Sequence, residues 1–232
     1  SQAGDEDWNP ALEVTNTFIV TKAPAEITLN NLAQTYDGTP RIAAATTVPP
    51  ELSVDMTYNG SSTAPITAGS YAVTGMVNDV MYQGVQVGVL VVAKAPAGVY
   101  LQGLAQTYDG MAKMVTATTD PSGLTVEFTY GGETSGPIPA GSYAVTGTVN
   151  EVNYEGSASD TLVVAKADQA IDFPAIGDRV TTDAVGLEAT AGSGLPVGFA
   201  VASGPGSIDG TGTNLTFTGT GTVSIAATQE GD

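Results

Sequence analysis

The 232-residue chain contains neither cysteine nor histidine. Without cysteine there are no disulfides and no thiolate metal sites. Without histidine the usual Ser–His and Cys–His nucleophile pairs are excluded, and so are most transition-metal sites. Positive charge is also scarce, with 6 basic against 24 acidic residues and a formal net charge of −18. A surface of that sign repels nucleic acid and anionic lipid, and it favours solubility or cation binding. No run of about 18 apolar residues is present, so no membrane-inserted helix is expected. Aromatic residues make up only 6% of the chain, yet 42% is apolar, a share typical of a folded protein rather than an acidic tail.

What is present is a repeat. Residues 23–94 and 95–166 align without a gap at an offset of 72, with about 40 identities. Leu32-Ala-Gln-Thr-Tyr-Asp-Gly38 returns as Leu104 to Gly110, and Ala68-Gly-Ser-Tyr-Ala-Val-Thr-Gly75 as Ala140 to Gly147. Tyr58, Tyr71 and Tyr82 return as Tyr130, Tyr143 and Tyr154. Apolar residues alternate in short runs with no 3.6-residue period, which predicts strands near Ile27–Leu29, Ile42–Thr46, Leu52–Tyr58, Tyr71–Val77 and Val85–Val92. Gly38, Pro49-Pro50, Asn59-Gly60 and Gly69 punctuate them as turn residues. Tyr71, Val73 and Val77 share a strand face, as do Tyr143, Val145 and Val149. Short strands at this spacing predict antiparallel β-sandwiches.

The other two parts of the chain belong to the same class. Residues 168–232 carry strand signals at Ile171-Asp-Phe-Pro174, Ser193 to Val201, Leu215-Thr-Phe217 and Val223-Ser-Ile225. They read as an immunoglobulin-like sandwich without its final strand. Residues 1–22 read as the reverse, a final strand without its sandwich. From Leu12 to Ala23 the chain alternates: Leu12, Val14, Phe18 and Val20 fall on one face, and Glu13, Thr15, Thr17 and Thr21 on the other, with Asn16 and Ile19 the exceptions. Its ending recurs as Leu90-Val-Val-Ala-Lys-Ala95 and Leu162-Val-Val-Ala-Lys-Ala167, where it closes each repeat. Four units are therefore expected: a terminal strand at 1–22, sandwiches at 23–94 and 95–167, and an open sandwich at 168–232. The joints Lys22-Ala-Pro-Ala25, Lys94-Ala-Pro-Ala97 and Lys166-Ala-Asp168 are short, and proline in the first two limits rotation, so an end-to-end rod is expected.

Four features together resemble MBG repeats: Tyr-Asp-Gly, Ala-Gly-Ser-Tyr-Ala-Val-Thr, Asn153-Tyr-Glu-Gly156 and the closing Val-Val-Ala-Lys-Ala. The first copy departs slightly, with Met81-Tyr-Gln-Gly84 in place of Asn-Tyr-Glu-Gly. Residues 168–232 are similar to bacterial Ig-like repeats, and residues 1–22 to the tail of one. MBG repeats are mostly-β, glycine-rich modules of very large bacterial surface proteins and adhesins. The resemblance therefore implies an extracellular stalk or adhesin at the bacterial surface. It transfers no catalytic residue.

The residues themselves offer no catalytic constellation either. Serines and threonines lack a base, and no carboxylate pair stands out for glycoside hydrolysis. Lys22, Lys94 and Lys166 follow the last strand of each unit, which suits solvated joint charges and argues against an isopeptide lock inside a core. Calcium is the one cofactor to weigh, with oxygen ligands at Gly4-Asp-Glu-Asp7 and Asp168. There is no Asp-x-Asp-x-Asp-Gly loop, and a solvated turn is the simpler reading. Tyr36-Asp-Gly38 and Tyr108-Asp-Gly110 read as turns in which Asp bonds its own backbone. No enzyme and no required cofactor are expected.

The two ends match. Thr228-Gln-Glu-Gly-Asp232 and Ser1-Gln-Ala-Gly-Asp5 fall in register at an offset of 227, so the chain is expected to be one period of something longer. In an extended rod, two sandwiches would separate residues 1–22 from the open third one. The expected partner is then another copy or an adjacent repeat, head to tail. It would be reached through a covalent array or through strand donation between subunits, by way of Leu12, Val14, Phe18 and Val20. The competing expectation is a discrete adhesive module that binds a glycan or a host protein.

Overall fold

A computed structural model describes residues 4 and 6–231. It is all-β, with no helix among the described residues. In the first repeat the strands are β1 (Ala23–Pro24), β2 (Glu26–Asn30), β3 (Ala33–Thr35), β4 (Ala44–Val48), β5 (Val54–Tyr58), β6 (Gly69–Val77), β7 (Tyr82–Gln83) and β8 (Val85–Ala93). One sheet runs β3-β8-β6-β5, with β6 and β8 antiparallel from Gly69↔Val92 to Met76↔Val85. The antiparallel pair β2–β4 is a second layer, in register from Glu26↔Val48 to Asn30↔Ala44.

The two-residue period decides which side chains lie between the layers. Val73, Val77, Leu90 and Val92 turn inward and are at most 6% exposed. Leu29 of β2 packs on that core. It fits because Gly75 and Gly88 have no side chain: a Cβ at either position would lie 3.2 or 3.1 Å from a Leu29 methyl.

The second repeat follows the same plan with β9 (Ala95–Pro96), β10 (Gly98–Gln102), β11 (Ala105–Thr107), β12 (Thr116–Asp120), β13 (Glu127–Tyr130), β14 (Gly141–Asn150) and β15 (Tyr154–Ala165). Its main sheet runs β11-β15-β14-β13, and β10 pairs with β12. Val145 and Leu162 are fully buried at the centre, with Val149 beside them.

A tyrosine closes each core. The Tyr58 hydroxyl accepts the amide of Ala43 at 3.0 Å, and Tyr130 accepts that of Val115 at 2.9 Å. Both tyrosines are buried, at 4% and 5% exposure. Tyr130→Phe should therefore destabilise the second repeat by about 1–3 kcal/mol, because it strands a buried N–H. Urea unfolding checks this; a change no larger than that of an exposed Tyr100→Phe control would refute it.

Three expectations need amendment. The sandwiches are not purely antiparallel, because β3 joins β8 in parallel (Ala33↔Val91 to Thr35↔Ala93) and β11 joins β15 likewise. β3 lies inside the Leu32–Gly38 motif, where only a turn was expected. The turn itself follows the strand as anticipated: Asp37 Oδ1 accepts Thr39 N at 2.9 Å, and Gly38 has φ +84°. The strand expected at Ile42–Thr46 lies two residues later, as β4, and Ile42 is 60% exposed.

The third segment contains β16 (Ile171–Asp172), β17 (Ala184–Gly186), β18 (Thr190–Ala191), β19 (Gly198–Ser203), β20 (Gly206–Ile208), β21 (Asn214–Phe217) and β22 (Ser224–Thr228). β16 pairs with β18, β19 with β22, and β21 lies between β17 and β20. Leu187, Ala191 and Leu215 are buried, and the rings of Phe173 and Phe199 meet at 5.4 Å. Asp209 ties the loop before β21. Hydrogen bonds from the Thr211 hydroxyl and then the Asn214 amide hold its carboxyl at about 2. By backbone contact the chain forms two compact units whose boundary runs through the second repeat, with 105–111 and 138–141 grouping with residues from 163 onward.

Residues 9–22 contain no strand, although Leu12–Ala23 was expected to be one. Only Ala23–Pro24 pairs, in parallel with Tyr82–Gln83. A strand requires a ladder partner for its amides and carbonyls, and among the described residues none pairs with 9–22.

Candidate functional site

Leu12, Val14, Phe18 and Val20 are 91, 90, 85 and 83% exposed, and Ile19 is 90% exposed. The structure does not bring the four face residues into any core. The 72-residue offset gives this exposure its meaning. Phe18 corresponds to Leu90 and Leu162, and Val20 to Val92 and Val164. Those four counterparts are 0–2% exposed, in the strands that lie between two neighbours in each main sheet. Residues 13–21 thus have the sequence of a central strand and the environment of a loop. The C-terminal end of the segment is pinned. Lys22 Nζ donates to the Asp79 carbonyl at 2.5 Å, Ala23 N to Met81 O at 2.8 Å, and Ala25 N to Gln83 O at 2.8 Å.

The joint between the two repeats is built the same way and adds side chains. Ala95 N donates to Asn153 O and Ala97 N to Glu155 O, each at 2.8 Å. The Asn153 side chain then reaches into the first repeat, where its Oδ1 accepts Ala68 N at 2.9 Å. Next to it the rings of Tyr36 and Tyr154 meet edge to face, 5.4 Å apart at 82°. Burial, and then the neighbouring Tyr36, push the Tyr154 hydroxyl above its ordinary range. A Cβ at Gly156 would fall inside contact distance of the Ala97 carbonyl oxygen, so only glycine lets the joint strand pass. Lys94 Nζ donates to Asn150 Oδ1 at 2.6 Å on the exposed side.

The Asn-Tyr-Glu-Gly motif is therefore a joint. In sequence it is legible only as a mark of resemblance, although its Asn is specific to the second copy and Met81 stands in that place in the first.

Of the calcium candidates, Asp5 lies outside the described residues, and Asp168 lines a cleft of about 780 Å³ together with Tyr108, Ile138, Ala140 and Leu195. Among the described residues no group of three or more possible metal ligands comes together. Asp37 is held below the usual carboxylate range, first by the Thr39 hydroxyl and amide and then by Arg41, with which it forms an ion pair. That pairing closes a turn.

Two-layer β-repeats with glycine-slotted cores, joined through backbone ladders, define the class: a tandem β-sandwich array. The chain belongs to the MBG domain family, whose model matches residues 25–96 and 97–168 in tandem. The matches begin two residues after the repeat limits drawn from the sequence at 23 and 95. MBG repeats are typical of bacterial surface proteins, and the chain is a repeat-bearing unit of a protein of that kind. No curated protein matches it. No helix among the described residues is long and apolar enough to cross a membrane.

Proposed function

We propose that the chain is a structural repeat unit of an extracellular bacterial filament or giant surface adhesin. In this reading, residues 12–22 of one copy complete the open Ig-like sandwich of the adjacent copy, head to tail. The observation that carries it is the mismatch at Phe18 and Val20, which hold core-strand positions in sequence and are more than 80% exposed in this chain. Burying each such side chain contributes about 1.5–3 kcal/mol, so the segment favours any sheet that accepts it. The partners are further copies of the same chain. The role is mechanical and not catalytic, in keeping with the lack of histidine and cysteine.

Light scattering across concentration tests the reading, with negative-stain images of the same samples. The chain is expected to grow into filaments as its concentration approaches about 1 mM, the effective concentration that a short tether would supply. The Phe18→Asp/Val20→Asp variant should remain monomeric with an unchanged circular dichroism spectrum. A parent chain that stays monomeric throughout would overturn the proposal.

A further inference from the structure

The third segment indicates where a donated strand would go and in what register. In the first repeat β6 has two neighbours, β5 on one side and β8 on the other. β22 has the same place in the third segment. It follows a glycine of the same unusual conformation, φ +150° at Gly221 against +154° at Gly69. It pairs antiparallel with the preceding long strand, Val201↔Ile225 matching Tyr58↔Val73. Among the described residues, β19 is its only neighbour, and the edge that β8 occupies in the repeats has no strand on it. Ile225 is correspondingly only half-buried, whereas Val73 is fully buried.

A second element lacks the same neighbour. β3 is an edge strand whose one partner is β8. Its counterpart follows from the spacing of apolar residues. Ile171, Phe173 and Ile176 match Ile27, Leu29 and Leu32, and β16 pairs with β18 as β2 does with β4. Residues 177–179 therefore stand where Ala33–Thr35 stands in the first repeat, and they are in no strand. A single strand between β22 and residues 177–179 would satisfy both edges.

We infer that the open edge of β22 is the docking site for residues 13–21 of a second copy, which lie antiparallel to β22 and parallel to residues 177–179. The inference rests on the strand-completion reading above. The occupant is identified by the repeat equivalence, since 13–21 is this chain's own counterpart of β8, exposed and unpaired. Transferring the β6–β8 register places Phe18 opposite Val223, Asn16 opposite Ile225 and Val14 opposite Ala227. Phe18 and Val20 then face inward, as Leu90 and Val92 do. Ile19 takes the outward position of Val91, which is 46% exposed. That placement accounts for the one apolar residue out of alternation near the end of the segment.

The register can be read by cross-linking, because the chain has no cysteine of its own. Thr17 and Ser224 are both exposed and fall opposite each other, as Val89 and Ala72 do in the first repeat. Directly opposed Cα atoms lie about 4.5–5.5 Å apart, within disulfide reach. Thr228 is four residues out of register, about 13 Å away, and beyond that reach.

The full chain carrying T17C/S224C, oxidised at assembling concentration, should form disulfide-linked multimers about tenfold more than T17C/T228C. T15C/A226C is a second in-register pair that should behave like the first. Amide exchange at residues 177–179 should slow on assembly of the cysteine-free chain. Efficient assembly with equal or greater cross-linking of the out-of-register pair would overturn the docking site and leave strand completion standing. Absence of both multimers and concentration-dependent mass would overturn both.

Discussion

Replacing Leu162 with alanine is expected to destabilise the second repeat by about 2–5 kcal/mol. Leu162 is fully buried in β15, which is flanked by β11 and β14, so truncation removes apolar contacts and leaves a cavity between two layers. The adjacent Val163 is 47% exposed on the other face. Val163→Ala should stay within about 0.5 kcal/mol. Amide exchange of the second-repeat core is the appropriate measurement, since a chain of several sandwiches need not unfold in one step. Comparable losses for the two variants would mean that β15 does not have the inward face described. The same comparison bears on Phe18, because its proposed environment in a neighbouring copy is that of Leu162.

Gly156→Ala is expected to cost about 1–3 kcal/mol and to loosen the joint between the repeats. The added methyl would meet backbone, the carbonyl of Ala97, and backbone cannot swing away as a flexible side chain can. Relief requires Ala95–Ala97 to move, which breaks the ladder from Ala95 N to Asn153 O and Ala97 N to Glu155 O. Faster proteolysis within 94–98, together with a loss of stability, is the expected readout. Gly210→Ala is the control, because a Cβ there meets nothing within 4 Å and its φ is not in the positive range. A Gly156→Ala chain as protease-resistant and stable as that control would show that the close approach is not needed.

The two-residue alternation was informative wherever a strand was long enough to display it. Tyr71, Val73 and Val77 were assigned to one face from sequence, and Val73 and Val77 are buried on that face. The Asp37-Gly38 turn was equally readable, since both its hydrogen bond and its positive φ arise locally. β3 was missed because three residues, Ala-Gln-Thr, carry no apolar alternation; its existence depends on β8 lying alongside. The joint residues Asn153 and Tyr154 were visible as a motif, but their partners Ala68 and Tyr36 are more than 80 residues away, and no local pattern relates them.

By itself the sequence determined the repeat, its all-β class and the inward residues of the long strands. These follow from the pleat, which alternates side chains whatever lies beside the strand. It also marked Leu12–Ala23 as the last strand of a unit. The tertiary structure decided which strands have neighbours on both edges. It placed β8 between β3 and β6 and, among the described residues, left β22 paired on one side and 9–22 in no sheet. Ladder hydrogen bonds join residues far apart in the chain, so pairing is a property of the assembled sheet. A sequence that codes perfectly well for a strand becomes one only beside an edge that can accept it.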